Sequence, residues 1–251
     1  MFEEKKMTLI EHLAELRKRI IGVIVVLFLT MIGGLILSPK VLLYLKGVPP
    51  ASGITWNVFS PWDALRIYMQ VAFVISAAVT LPYILYQLWS FMKVGLKKEE
   101  QEATLRYIPY SVLCFLIGIG FAYFVVFPMS FSFTSRISDQ LDLTQTYGIA
   151  QYFGFMLSIV IPMSLAFELP VVIMFLTKIG VLTPKVLNSM RRYAYLGLVI
   201  LASLISPPEL ISHLMVFIPL VVLYEISVLL SRVVYRKKTK VPAIDAAVMN
   251  G

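Results

Sequence analysis

The two longest stretches of this chain without a charged side chain are each long enough to span a bilayer. They are residues 67–92, between Arg66 and Lys93, and residues 107–135, between Arg106 and Arg136. About 20 apolar residues in helical form cross the hydrocarbon core of a membrane. Backbone in that core must satisfy its own hydrogen bonds, so such stretches are helices. Composition agrees: 59% of the residues are hydrophobic and 14% charged, whereas a soluble domain is roughly a quarter charged. A water-soluble core of this length has no room for so much apolar surface. The expected fold class is all-α, a polytopic integral membrane protein.

The uncharged stretches read as six spans: Ile20–Leu37, Ile67–Trp89, Tyr107–Pro128, Ala150–Leu176, Tyr193–Ile205 and Leu210–Leu230. The last two are expected to be short. Tyr193–Ile205 makes roughly 20 Å of helix against a core of about 30 Å, and Pro207 and Pro208 stop it abruptly. Either the bilayer thins there or the pair is a re-entrant hairpin. Residues 1–19 read as a cytoplasmic amphipathic segment, 20–230 as the membrane domain, and 231–251 as a basic tail, disordered beyond Lys240.

Six spans put both termini on one side. Eighteen of the 22 Lys and Arg residues then share that side, leaving Lys40, Lys46, Arg66 and Arg136 on the other. The positive-inside rule places both termini in the cytoplasm. These cations flank helix ends instead of forming a groove with stacking aromatics. The net charge of +8 therefore suits anionic membrane lipid and not nucleic acid. No cofactor is expected, because the phosphate-loop and dinucleotide fingerprints are missing. No metal is expected either: Cys114 is the sole cysteine, and His12 and His213 are far apart in sequence. The spans offer no plausible Ser-His or Asp-Asp pairing, so the reading is of a protein without enzymatic activity.

Four constellations carry functional interest. In the first, Thr8 and Glu11 form a capping box. Leu9, Leu13, Leu16 and Ile20 recur on one helical face, with His12, Glu15 and Arg19 on another. The plainer alternative is a surface helix with a Glu15–Arg19 pair four residues apart. The second is the acidic cluster Glu99, Glu100 and Glu102 on an otherwise basic face, which attracts a cationic ligand. Alternatively it is a solvated helix in which Glu102 pairs with Lys98 and Arg106. The third is Glu168, placed inside the fourth span beside Pro170. An ionisable group there costs roughly 3 kcal/mol or more and is functional by default; the alternative is a protonated structural glutamate. The fourth is Ser206-Pro-Pro-Glu209 with Ser212 and His213, a polar patch that either docks a partner or satisfies backbone freed by the prolines.

Several motifs in this order resemble one family. They are His12-Leu-x-Glu15-Leu-Arg17-Lys18-Arg19, Pro82-Tyr-Ile-Leu-Tyr86-Gln87-Leu-Trp89-x-Phe91 and Phe121-Ala-Tyr123-Phe124-x-Val-x-Pro128, then Phe167-Glu168-x-Pro170 and Ser206-Pro-Pro-Glu209. Together they are similar to the twin-arginine translocase C subunit family, TatC, from about residue 8 to 232. The resemblance implies a concave, glove-like bundle of six transmembrane helices in a bacterial-type plasma membrane. It implies a receptor and core component of an export system for folded proteins whose signal peptides carry paired arginines, driven by the proton motive force. By position, Glu15 and Glu100 match the carboxylates that receive the two arginines, with Glu99 beside Glu100 in a run that departs from the family's Lys-His-Glu pattern. Arg17, Arg19 and Phe91 match neighbouring positions of that surface. Glu168 matches the intramembrane glutamate. Ser206, His213 and Glu209 fall where single-span TatA-type or TatB-type subunits bind, in a homo- or hetero-oligomer. The alternative function is a secondary transporter using Glu168 as a proton or cation site; a midplane solute site, however, gives no reason for the acidic cluster in a surface loop.

Overall fold

The computed structural model describes residues 9–92, 107–205 and 210–248, with side chains for 14–91, 108–205 and 213–236. The described residues are helical nearly throughout and contain no strand. A single bridge pairs Asn57 with Gly148. Five helical stretches are long and apolar enough to cross a membrane: Ala14–Gly47, Asp63–Phe91, Ile108–Gln140, Ile149–Ile179 and His213–Arg236. The protein is an all-α, multi-pass membrane protein. The chain divides into two compact units, residues 1–52 with 64–108, and residues 53–63 with 109–251.

The first unit is a hairpin of α1 (Leu9–Gly47) and α2 (Asp63–Met92). Its two helices are held by small and polar residues at matched intervals. Ser38 donates to the Tyr68 carbonyl at 3.2 Å, and the Tyr68 hydroxyl donates to the Leu35 carbonyl at 2.6 Å. Four residues earlier on α1 and four later on α2, Gly34 lies so close to the Ala72 backbone that a Cβ would collide with it. One more such step brings Thr30 Oγ1 to 2.7 Å from Ser76 Oγ and 2.8 Å from Thr80 Oγ1. In an apolar solvent helices gain little from burying apolar area against each other. Close backbone approach and interhelical hydrogen bonds take over that role. Another face of α1 is exposed and carries Phe28, Leu29, Ile32 and Ile36.

The second unit begins with a nearly continuous rod. It comprises α3 (Tyr107–Phe121), a π-helical turn at Ala122–Val126 and α4 (Phe127–Gln140). Then come α5 (Ile149–Ala166), α6 (Leu169–Ile179), α7 (Pro184–Ser189), α8 (Arg191–Ile205) and α9 (Leu210–Val248). Aromatic residues form the core at one end. Phe127 meets Tyr152 edge-on with ring centroids 5.5 Å apart, and Trp56 stacks on Phe153 at 5.5 Å. The backbone of Asn57 pairs with Tyr147 and Ile149, which fastens the connection at residues 53–63 to the start of α5. At the other end Thr177 and Ser231 share a hydrogen bond of 2.8 Å, and the Tyr224 hydroxyl donates to the Leu187 carbonyl at 2.9 Å. Gly180 closes α6 with φ 88°, a left-handed conformation that glycine adopts without Cβ strain.

Element ends differ from the sequence reading. The N-terminal segment is continuous with the first span: α1 runs unbroken from Leu9 to Gly47. No proline or glycine lies between Leu9 and Ile21 to interrupt it. Pro39 sits inside α1 without ending it. The third span passes its expected end at Pro128 because the wide π turn precedes that proline, which falls in the first turn of α4, where no intrahelical N–H is needed. The fourth breaks at Phe167–Glu168 and resumes at Leu169. The fifth is short, 15 residues or about 22 Å. The helix that carries the last expected span, Leu210–Leu230, continues to Val248, since arginine and lysine are good helix formers and hydropathy does not set where a helix ends.

Candidate functional site

Polar groups gather at the end of the hairpin where α1 begins and α2 ends. Glu15 and Arg19 stand one helical turn apart, so their side chains share a face. Arg19 Nε donates to Glu15 Oε1 at 3.2 Å, and Nη2 of the same guanidinium pairs with that oxygen as well. Arg19 Nη1 reaches across to α2, donating to the Gln87 carbonyl at 3.3 Å and to Gln87 Oε1 at 3.2 Å. The Gln87 amide donates in turn to the Tyr83 hydroxyl at 2.5 Å. Glu15 is thereby fixed to α2 through an arginine. Its second oxygen, Oε2, is buried and lacks a hydrogen-bond partner among the described residues. Phe91 and Arg19 line one groove beside this cluster, and Arg17 is exposed next to it.

The structure thus brings together Glu15, Arg19 and Phe91 of the expected surface. Glu99 and Glu100 lie outside the described residues. Gln87 was not singled out from the sequence as a site residue. Its signal is an amide four residues after Tyr83 in an uncharged stretch.

Glu168 occupies the break between α5 and α6, in the N-cap position, with Pro170 in the first turn of α6. It is 8% exposed, and its Oε2 accepts a hydrogen bond from Ser111 on α3, itself 1% exposed. Its Oε1 is buried with no partner among the described residues. One helical face of α3 carries Ser111, Cys114 and Gly118 toward this break. A Cβ on Gly118 would stand 2.9 Å from Ser164 Cα and 2.8 Å from Phe167 Cβ. Glycine is what lets α3 come near enough for Ser111 to reach the carboxylate.

Of the expected partner patch, Ser206 and Glu209 lie outside the described residues, while His213 is half-buried near the start of α9. Glu225, farther along α9, accepts from Arg191 Nη2 at 2.7 Å and from the Tyr195 hydroxyl at 2.5 Å, tying α8 to α9. No group of three His, Cys, Asp or Glu side chains among the described residues is arranged to hold a metal.

Comparisons with known proteins agree with this architecture. The family model described as "Sec-independent protein translocase protein (TatC)" matches residues 11–219. The chain is 46% identical to the Sec-independent protein translocase protein TatCy of Bacillus subtilis strain 168, over 98% of this chain and 97% of that one. It is 34% identical to the TatC of Escherichia coli K12, over 92% and 91%. A crystal structure described as the twin-arginine translocase receptor TatC superposes with a TM-score of 0.78 at 30% identity, covering 89% of this chain and 99% of that one. The helices, their order and these matches together place the chain in the TatC family of Sec-independent protein translocase proteins.

Proposed function

We propose that this translocase component is the receptor for paired-arginine signal peptides, with Glu15 and Glu100 as the two carboxylates that read the arginines. One observation carries the reading: Glu15 already binds a guanidinium, that of Arg19, through one oxygen, while its other oxygen is buried and unpaired among the described residues. A carboxylate held in that way has the shape for a second planar donor. Arginine offers a fork of donors where lysine offers a point charge. Glu99, Arg17 and Phe91 complete the surface. Both termini face the cytoplasm of a bacterial-type cell, and the chain works in the plasma membrane without enzymatic chemistry of its own.

Single-span TatA-type subunits, and TatB-type where present, dock at Ser206, Glu209 and His213, in a homo- or hetero-oligomer. The proton motive force drives the translocation that follows. Glu168 serves that later step and not peptide recognition. The test is binding of an Arg-Arg signal peptide to the purified chain, compared with its Lys-Lys counterpart. The reading expects the arginine peptide to bind at least tenfold more tightly. Equal affinities overturn it.

A further inference from the structure

Arg19 holds Glu15 by one oxygen only. Arginine–carboxylate pairs commonly form two parallel bonds, one to each carboxylate oxygen. Here Nε and Nη2, the two donors along one edge of the Arg19 guanidinium, both end on Glu15 Oε1. Oε2 has no partner among the described residues. The far corner of the same rigid plane accounts for this. Nη1 donates to two oxygens of a single α2 residue, the Gln87 carbonyl at 3.3 Å and Gln87 Oε1 at 3.2 Å. A planar group pinned at Nη1 is not free to turn its opposite edge square to both carboxylate oxygens.

Gln87 is itself fixed. An arginine only donates, so the Gln87 amide turns its oxygen toward Arg19 and its nitrogen away. That nitrogen donates to the Tyr83 hydroxyl at 2.5 Å, one turn earlier on α2. The Tyr83 hydroxyl lies 3.1 Å from where a Cβ on Gly22 would stand, so glycine gives it room against α1. All four side chains are partly buried, those of Arg19 and Glu15 being 18% and 21% exposed. Away from bulk water, linked hydrogen bonds of this kind reinforce one another.

We propose that Gln87 is a positioning residue of the arginine-reading site: it keeps Arg19 on one oxygen of Glu15 and so leaves Oε2 for a guanidinium of the signal peptide. The proposal rests on the reading of Glu15 as a peptide-binding carboxylate and extends that reading to α2. Without Gln87, a side-chain rotation brings the Nε–Nη2 edge of Arg19 across both oxygens. The pair within α1 then closes into a bidentate bridge, and an incoming arginine finds no oxygen left to accept it. Gln87 acts through Arg19 and does not touch the peptide. Its effect therefore exists only while Arg19 is present, which a simple staple between two helices does not require.

The test titrates the full-length chain in detergent with Arg-Arg and Lys-Lys signal peptides. Gln87→Leu is expected to weaken Arg-Arg binding about tenfold, the worth of one charge-assisted contact. Lys-Lys binding falls less, so the preference for arginine collapses. Gln87→Asn, one methylene too short to reach Arg19, is expected to do the same and keeps the test intact if the leucine variant fails to fold. Gln87→Glu, which retains an oxygen for Nη1, is expected to restore Arg-Arg binding. In an Arg19→Gln background, Gln87→Leu is expected to change Arg-Arg affinity by less than about twofold, because nothing remains for Gln87 to hold. An equal loss in both backgrounds overturns the proposal and makes Gln87 a structural or direct peptide contact. So does a failure of Gln87→Glu to restore binding. A wild-type preference for arginine that survives Gln87→Leu and Gln87→Asn overturns the proposal alone. Equal affinity of the wild type for both peptides overturns the receptor reading, and the proposal falls with it.

Discussion

Ser111 donates a hydrogen bond to Oε2 of Glu168, and both side chains are buried inside the second unit. Among the described residues the serine is the carboxyl group's only side-chain hydrogen-bond partner, and it comes from a different helix, α3, brought close by Gly118. Ser111→Ala leaves both carboxyl oxygens without a donor at a cost of about 1–3 kcal/mol. The expected outcome is reduced export at normal protein levels, with Ser111→Thr restoring most of it. Export by Ser111→Ala equal to wild type would show that the contact is incidental.

Gly118→Leu tests the same junction sterically. The new side chain meets the Ser164 backbone and the Phe167 side chain and forces α3 away from the break. Overpacking of this kind costs about 1–3 kcal/mol. The expected result is a lower melting temperature in detergent, together with an export defect resembling that of Glu168→Leu. Glu168→Gln, which retains shape and hydrogen bonding, should export better than Glu168→Leu. A thermally normal Gly118→Leu would mean the helices separate without strain.

In the first unit, Thr30, Ser76 and Thr80 share hydroxyl contacts within the span, and Thr30 also donates to the Val26 carbonyl at 3.0 Å. Interhelical hydrogen bonds in membranes are worth about 1 kcal/mol. Thr30→Val is therefore expected to loosen the hairpin modestly, and Gly34→Val considerably more, because it drives a branched side chain into the Ala72 backbone. Cysteine crosslinking between α1 and α2 near positions 38 and 68 measures this. Identical crosslinking in both variants would refute the matched ladder.

How much of this was legible follows from what each feature depends on. Five spans were legible because a long apolar run nearly free of charge has one physical meaning in a chain this apolar. Their ends were not, since Gly47, Gln140 and Val248 are set by helix propagation and packing, and hydropathy reports neither. The Glu15–Arg19 pair follows from four-residue spacing and was legible. Its extension to Gln87 depends on the register of two helices 68 residues apart in sequence. Glu168 stood out as a carboxylate in an apolar span. Ser111 did not, because a serine in such a helix commonly bonds its own preceding turn.

Arg19 makes the recognition of arginine an exchange. It occupies Glu15 Oε1 through two of its nitrogens while Nη1 holds Gln87. An incoming guanidinium must share Glu15 through Oε2 or displace Arg19. Removing either carboxylate, by Glu15→Ala or Glu100→Ala, deletes a charge-assisted contact of roughly 1.5–3 kcal/mol. Affinity for an Arg-Arg peptide is then expected to fall by about one to two decades. If the two arginines bind cooperatively, the double variant loses less than both single losses combined. Arg19→Gln acts in the opposite direction. It frees Glu15 of its internal partner and removes one positive charge from the path of a cationic peptide, against roughly 1 kcal/mol of side-chain entropy for the freed glutamate. The gain is the larger effect, so Arg19→Gln is expected to bind the Arg-Arg peptide several-fold more tightly. Its preference over Lys-Lys should narrow, because Glu15 is no longer held in the geometry of a guanidinium. Titration of the four variants with both peptides at low and raised salt measures all of this. Weaker binding by Arg19→Gln with Glu15 intact would show instead that Arg19 orients the carboxylate, and the exchange model would fail.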